Sequence, residues 1–277
     1  MSTKMLLGHS PDPDDAFMFW AMREGLVDQE GLEFEHVLQD IETLNRRALN
    51  GEIEVTAVSL HAFAYLQERY GLLSCGASIG DGYGPIVVSK GQLLPSDLKR
   101  VKIAIPGELT TAFLALQLHT PQVAYEKVHF DEIPAAVASG RFAAGLLIHE
   151  GQLTYRDLGL HLVVDLGAWW KQETSLPLPL GVNVVRLDLG EETCLKVDRV
   201  LKRSIQLALE RRQEAVTHAM AYGRDLDRER TDKFIGMYVN EFTLDFGPRG
   251  RAGCTELLTR GHAAGLLPKC AMVTIGD

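Results

Sequence analysis

Short apolar runs alternate along the chain with segments whose apolar residues recur at helical spacing. The run Lys4–Gly8 is followed by Asp14–Glu24, which is rich in apolar residues and suits a helix packed against a sheet. Leu32–Leu38 alternates polar and apolar residues as a half-buried strand does. Ile41–Leu49 has a helical pattern and stops at Asn50-Gly51, a common C-terminal signal. This order favours an α/β fold with a largely parallel sheet.

The same alternation continues downstream and suggests two lobes. Strands are predicted at Ile53–Val58, Val101–Ile105, Val128–Phe130 and Ala143–Ile148, with helices at His61–Arg69, Thr111–Leu118 and Ile133–Ser139. Further helices are predicted at Glu191–Glu210, Glu214–Tyr222, Asp227–Val239 and Thr255–Ala264. Two extended apolar stretches, 82–90 and 179–187, are interpreted as hinge crossings. They predict a larger lobe of residues 1–86 plus 187–277, a smaller lobe of residues 87–186, and a cleft between them.

Composition narrows the function classes. The 277 residues carry a formal charge of −9, which disfavours nucleic acid and anionic membranes as general partners. The chain has four cysteines without CxxC spacing, no HExxH motif and no His/Cys cluster of zinc type, so we expect no metal. No apolar run reaches about 18 residues, and the N-terminus lacks a signal-peptide core. We therefore predict a cytoplasmic protein with no membrane partner, and the sequence leaves room for a homo-oligomer.

The first candidate motif is SPDPDDAF, residues 10–17, at the end of the first predicted strand. Asp12 fits an N-cap, Pro13 the first helical position, and Asp15 the third, where a carboxylate favours the helix dipole. Helix capping alone explains this pattern. Alternatively, Ser10 and the loop that follows lie in a ligand-binding cleft at the carboxyl end of the strand.

Two further motifs follow predicted strands. In IPGELTTAF, Gly107 permits a turn, and the helix N-terminus offers amides and the hydroxyls of Thr110 and Thr111 to an anion. In TAVSLHAF, Ser59 ends a strand and His61 lies in the first turn of the next helix. Capping by threonine is a common alternative explanation of the first motif. In the second, Ser59 and His61 are explained equally well as a capping and a surface residue, while His61 is also a candidate for the site.

His149 ends the apolar run of GLLIHEGQLTY and is open to three interpretations: a structural residue, a metal ligand or a base. The missing partner ligands make a metal the weakest of the three. A strand end at a cleft suits a base, because imidazole titrates near neutral pH. Glu150 alternates to the other side of an ideal strand and is a poor default partner.

The paired tryptophans of DLGAWWKQETSLPLPLG, residues 165–181, also have two interpretations. They suit an aromatic wall for a flat ligand, or hydrophobic packing near the second crossing.

Taken together, these strings resemble the 1,4-dihydroxy-6-naphthoate synthases, which cleave cyclic dehypoxanthine futalosine on the futalosine route to menaquinone. The resemblance covers roughly residues 5–250 and is carried by SPDPDDAFMF, DIETLNRRAL, GPIVV, PGELTTAF, GLLIHEGQLTY and DLGAWWKQETSLPLPLG. It implies a two-lobed fold like type II periplasmic binding proteins, with the ligand in the inter-lobe cleft. It also implies a cofactor-independent carbon–carbon lyase that releases dihydroxyacetone from a carboxylate substrate.

The resemblance assigns roles residue by residue. It implies that His149 is the base and that the substrate contacts include Ala57, Val58, Ser59, Thr111 and Ala112, with Thr110 beside them. This chain departs from the family by carrying Asp12 and Asp14 where Cys and Asn are frequent, and Ala57 where Lys is frequent. These changes make the expected cleft less positive. The alternatives are the related chorismate dehydratase and a non-catalytic cytosolic small-molecule-binding protein.

Overall fold

The computed structural model describes residues 3–223 and 226–276. Its strands are β1 (Thr3–His9), β2 (Leu32–Leu38), β3 (Val55–Ser59), β4 (Tyr70–Leu72), β5 (Ser78–Gly80), β6 (Ile86–Ser89), β7 (Lys102–Ile105), β8 (Ala124–Lys127), β9 (Ala144–Leu147), β10 (His161–Asp165) and β11 (Leu178–Arg186). Its helices are α1 (Pro13–Arg23), α2 (Ile41–Asn50), α3 (Leu60–Phe63), α4 (Thr111–His119), α5 (Ile133–Ala138), α6 (Gly151–Thr154), α7 (Leu166–Thr174), α8 (Glu191–Glu210), α9 (Arg212–Ala219), α10 (Arg228–Tyr238), α11 (Glu241–Leu244) and α12 (Gly247–Ala263).

The strands form two mixed sheets. The first has the order β2-β1-β3-β11-β4, with β5 also paired to β11. In it, β1 runs parallel to β2 and β3, and β11 runs antiparallel to β3, β4 and β5. The second has the order β10-β6-β9-β7-β8, in which β7 runs parallel to β8 and β9. The predicted alternation of strands and helices is therefore right, but both sheets also contain antiparallel pairs.

The chain passes between the sheets twice. Residues 81–85 join β5 to β6, and residues 166–177, which include α7, join β10 to β11. The second stretch predicted to cross, 179–187, instead lies almost wholly in β11 of the first sheet. Residues 178–186 therefore lie in the same sheet as β1 to β5, whose residues belong to the predicted larger lobe. The division into lobes stays a prediction, and residues 1, 2, 224, 225 and 277 lie outside the described part.

Buried apolar faces explain why α1 lies where it does. Phe17, Met18 and Phe19 are each at most 1% exposed, because α1 packs against α8, α9 and α10 and shares a core with residues of β1. Met5 and Leu7 point from β1 into the same core. Packing on two sides accounts for a helix that is apolar almost all round. It also fixes the loop that joins β1 to α1.

Several predicted boundaries are wrong for physical reasons. The strand predicted at 128–130 is absent, and β8 occupies residues 124–127 at the edge of its sheet. Its residues are mostly exposed, so no apolar pattern marks it. The helix predicted at 61–69 is the single turn α3, and α12 begins at Gly247 rather than at 255 because Pro248 suits a helix start. No helix in the described ranges has the length and apolarity needed to cross a membrane.

Candidate active site

A cavity lies between the two sheets, where the carboxyl ends of several strands meet. Residues that follow β1 and residues at the end of β3 in the first sheet line it, as do residues that follow β7 and β9 of the second. Its lining includes Ser10, Asp14, Asp15, Ile41, Ala57, Ser59, Thr110, Thr111, Ala112, His149, Gln152, Asn183, Phe234 and Tyr238. No lysine or arginine is among the described residues that line it. Strand ends are the usual ligand site in α/β sheets.

His149 is held at this cavity by Asp12. Its Nδ1 lies 2.9 Å from Oδ2 of Asp12, and the side chains are 16% and 1% exposed respectively. The edge of the ring meets Phe130 with the ring centroids 4.8 Å apart. Nε2 is buried and has no hydrogen-bond partner among residues 3–223 and 226–276. One ring nitrogen is thus bound by protein, and the other is left for a ligand.

The backbone at His149 adopts an uncommon conformation. Its φ is +57°, in the left-handed region that non-glycine residues seldom occupy. This turn separates the end of β9 at Leu147 from the start of α6 at Gly151. Such conformations concentrate at functional sites, where the surrounding structure holds them in place. Alternation along an ideal strand therefore does not describe how His149 and Glu150 are oriented.

The acidic surroundings of His149 set its proton affinity. Burial alone would lower the pKa of His149, but the charge and hydrogen bond of Asp12 raise it, and so do the charges of Glu150 and Asp14, giving a pKa of about 9. The neutral imidazole is therefore the minor form at pH 7. The group is a strong base whose neutral form becomes abundant as the pH approaches 9.

We expect the stability of the protein to fall between pH 6.5 and pH 9. His149 binds its proton more tightly in the folded state, so its contribution is fully present below its ordinary pKa and is lost as the pH rises through about 9. The shift corresponds to about 3 kcal/mol. Denaturant unfolding of the wild type at both pH values should show the loss, and His149→Gln should show a smaller pH dependence. An equal pH dependence in both proteins would contradict this origin.

Two more carboxyl groups, those of Asp14 and Asp15, lie near the Asp12–His149 pair. Oδ2 of Asp15 accepts hydrogen bonds from the Ser10 amide at 2.6 Å and the Ser10 hydroxyl at 2.8 Å. Burial raises the pKa of Asp15 to about 6, although these hydrogen bonds oppose the shift. Burial and the charges of Asp15 and Asp12 raise the pKa of Asp14 well above its usual range. Oδ1 of Asp14 is buried without a hydrogen-bond partner in the described structure.

The start of α4 forms another part of the cavity wall. Thr110 caps this helix as predicted, since its hydroxyl oxygen accepts the Phe113 amide at 3.2 Å. However, the hydroxyl of Thr110 donates to the Gly107 carbonyl at 2.8 Å, and that of Thr111 donates to the Leu180 carbonyl at 2.7 Å. The expected hydroxyl donors to an anion are therefore already in use. The amides of the first helical turn remain, because helix geometry gives them no intrahelical partner.

Gly107 has a different role from the one predicted. Its φ is not positive, so the turn does not need a glycine. Instead, an added Cβ would overlap the carboxylate of Glu42. That carboxylate comes from α2 beside the first sheet and accepts the Leu109 amide at 3.1 Å. Gly107 therefore permits a close contact across the cleft.

Two of the three residues of β3 that are predicted to contact the substrate line the cavity. Ala57 and Ser59 line the cavity, whereas the side chain of Val58 is fully buried in the hydrophobic core. Ser59 stands at the N-cap position of α3 but makes no side-chain cap. Asn45 holds it, with its amide group 3.1 Å from the Ser59 hydroxyl and its carbonyl accepting the Ser59 amide at 2.9 Å. The hydroxyl proton of Ser59 is therefore not used for capping.

His61 and the paired tryptophans are structural in this fold. His61 is 4% exposed, contrary to its prediction as a surface residue, and its amide donates to the Thr111 hydroxyl at 3.1 Å. Trp170 is fully buried, and its Nε1 donates to the Pro177 carbonyl at 3.1 Å. Trp169 packs edge-on against His119. The packing interpretation of the WW motif is therefore the correct one.

Sequence reasoning missed the wall that α10 supplies. Tyr238 lines the cavity, and its hydroxyl donates to Oε1 of Gln152 at 2.7 Å, which joins α10 to α6. Phe234 lies one turn earlier on the same helix. The helical spacing of these two aromatic residues was a signal for one shared face, but nothing in the pattern pointed that face at the cleft.

A two-lobed α/β fold with an inter-sheet cavity is the architecture of small-molecule-binding proteins of the periplasmic type. Solved structures agree: the alkanesulfonate-binding protein from Xanthomonas axonopodis pv. citri bound to MOPS matches with a TM-score of 0.72 at 12% identity, over 97% of this chain and 96% of that one. A ligand-binding component of an ABC-type import system from Staphylococcus aureus matches with a TM-score of 0.73 at 14% identity, over 98% of this chain and 94% of that one. The predicted fold class is confirmed.

Closer relatives identify the family. The family model described as Menaquinone biosynthesis matches residues 5–263, and the chain belongs to that family. It is 41% identical to a 1,4-dihydroxy-6-naphthoate synthase from Thermus thermophilus over 260 residues, covering 94% of each chain. It is 34% identical to one from Streptomyces coelicolor, covering 95% of this chain and 94% of that one. A crystal structure of an Archaeoglobus fulgidus protein matches at 48% identity with a TM-score of 0.90, over 95% of this chain and 98% of that one.

Proposed function

We propose that this protein is a carbon–carbon lyase of 1,4-dihydroxy-6-naphthoate synthase type. It converts cyclic dehypoxanthine futalosine to 1,4-dihydroxy-6-naphthoate and dihydroxyacetone in the cytoplasm, without a cofactor. The observation that carries the proposal is the ring of His149, whose Nε2 is buried at the cavity and has no hydrogen-bond partner in the described residues. The family and the synthases named above support the substrate class.

His149 acts as the base in this proposal. Its Nε2 removes a proton from a hydroxyl group of the sugar-derived part of the substrate. The electron pair of that O–H bond forms a carbonyl while the neighbouring carbon–carbon bond breaks, and the released pair enters the ring that becomes aromatic. The imidazolium then gives its proton to the oxygen of the ring system that received the electron pair. Atoms and electrons balance without water, oxidant or cofactor, and aromatisation supplies the driving force.

The opposite wall binds the substrate. The amides of Thr111 and Ala112 at the start of α4 receive the carboxylate, because a helix N-terminus favours an anion even where no lysine or arginine is present. The hydroxyl of Ser59 and the small side chain of Ala57 shape the floor formed by β3. Ser10 holds Asp15 at the other end of the cavity. Val58 takes part only as a member of the strand, and Thr110 by capping α4.

The test is turnover by the purified protein. Incubation with cyclic dehypoxanthine futalosine should yield naphthoate and dihydroxyacetone in equal amounts, measured by chromatography and an enzymatic assay for the triose. Chorismate should be left unchanged in a parallel reaction. Consumption of chorismate would identify the related dehydratase instead, and binding of a naphthoate carboxylate without turnover would identify a non-catalytic binding protein.

A further inference from the structure

Asp12 and His149 meet across the cleft. Asp12 follows β1 of the first sheet, whereas His149 follows β9 of the second, and the two side chains come within 2.9 Å. We propose that Asp12 is a positioning residue for His149, supplied from the opposite wall so that the ring presents Nε2 to the substrate. Only the expected loss of turnover rests on the proposed function; the orientation of the His149 ring does not.

Asp12 does not use its side chain to cap the helix that it precedes. It stands at the N-cap position of α1, yet its side chain makes no capping hydrogen bond. At three other helices of the chain an aspartate in the same position does cap: Asp40 accepts the Thr43 amide, Asp165 the Gly167 amide and Asp227 the Arg230 amide. The N-cap of α1 thus departs from the pattern that this chain follows elsewhere, and its carboxylate is directed to His149.

The contact fixes which nitrogen of His149 reacts. A carboxylate accepts a hydrogen bond, so the neutral ring keeps its proton on Nδ1 and carries its lone pair on Nε2. Nε2 is the nitrogen with no partner in the described structure. Because the backbone of His149 is in the left-handed region, the ring is held at a turn rather than in a regular strand. Asp12 and the edge of Phe130 then restrict its orientation.

Among the groups around His149, the carboxylate of Asp12 does most to stabilise the protonated ring. The charges of Glu150, from the segment of His149 itself, and of Asp14 from α1 also act on the ring. The charge of His149 in turn opposes the rise in the pKa of Asp15. These carboxyl groups all remain when Asp12 is replaced. Loss of Asp12 therefore lowers the pKa of His149 while burial, which opposes the charge, persists.

The experiment compares Asp12→Asn and Asp12→Ala with the wild type, and uses Asp198→Asn as the matched control. Asp198 is also a buried aspartate, but it accepts the Ser74 amide at 2.6 Å and the Ser74 hydroxyl at 2.7 Å, away from the cavity lining. The first readout is the ¹⁵N spectrum of histidine-labelled protein without substrate. His149→Gln assigns the signal among the nine histidines. The second readout is the pH profile of kcat and KM.

We expect both Asp12 variants to lower the pKa of His149, and Asp12→Ala to lose the exclusive Nδ1–H form. We expect kcat on the high-pH plateau, where His149 is neutral in every protein, to fall about 10²-fold or more while KM changes little, and the control to keep the wild-type spectrum and profile. An unchanged His149 signal in both variants overturns the positioning role whether or not the protein turns over futalosine derivatives. A changed signal with wild-type kcat also overturns it. The spectrum is read without substrate, so failure of the proposed function is seen separately.

Discussion

Replacing His149 with alanine is expected to lower turnover of the cyclic futalosine derivative by about 10³-fold, within the range that a positioned general base contributes. The carboxyl groups of Asp12 and Asp15 that remain nearby are not placed where Nε2 was, because Asp12 lies on the Nδ1 side of the ring and Asp15 is hydrogen-bonded to Ser10. His149→Gln should lose about as much, since glutamine retains a polar group near Asp12 but cannot accept a proton. Initial rates at saturating substrate measure both losses.

Two further measurements separate a base from a merely structural histidine. Wild-type kcat should rise from pH 7 towards pH 9, because the pKa of His149 is about 9 and the neutral form is the active one. His129→Ala is the matched control, since His129 is exposed on the loop whose Phe130 contacts the His149 ring. That control should stay within about threefold of wild type. More than a tenth of wild-type turnover in a folded His149→Ala protein would remove this residue from the mechanism.

The strand ends were the most predictable part of the site. Buried apolar runs end shortly before Ser10 and His149, and another ends at Ile105 in the segment that leads to Thr110. The carboxyl ends of strands lie where α/β sheets bind ligands, so that rule and the family resemblance together predict one cavity lined by these residues. Period-two alternation would also have excluded Val58, because its neighbours Ala57 and Ser59 face the cavity.

Tertiary contacts decided what the local pattern could not. The segment around Asp12 reads equally well as a capped helix start, and only the approach of the second sheet directs the carboxylate to His149. The hydroxyls of Thr110 and Thr111 look like ligand donors in sequence, yet both donate to carbonyls. The Thr111–Leu180 hydrogen bond and the Asp12–His149 contact join residues far apart in the sequence, so they leave no periodic signal. The edge strand β8 was missed for a similar reason, since its mostly exposed residues carry no apolar pattern.

The string DLGAWW has a physical explanation at Gly167, the second residue of α7. The start of this helix lies against residues 81–85, which carry the chain from the first sheet to the second. The Leu166 amide donates to the Pro85 carbonyl at 2.9 Å, and Asp165 accepts the Gly167 amide at 2.9 Å. An added Cβ at Gly167 would overlap the carbonyl group of Tyr83 and the amide nitrogen of Gly84.

Gly167→Ala is therefore expected to lower the free energy of unfolding by about 3 kcal/mol, at the upper end of the usual cost of overpacking. The obstructing atoms are backbone, so no side-chain rotation relieves the overlap, and relief requires moving the crossing itself. Tyr83 resists that movement because its hydroxyl donates to the Met237 carbonyl of α10. Denaturant unfolding measures the loss. Gly91→Ala is the matched control, since its Cβ meets open space and its φ is not left-handed, and it should change stability by less than about 0.5 kcal/mol. Equal stabilities for the two variants would mean that the crossing yields freely, and the fixed spacing of the two sheets that brings Asp12 to His149 would then need another source.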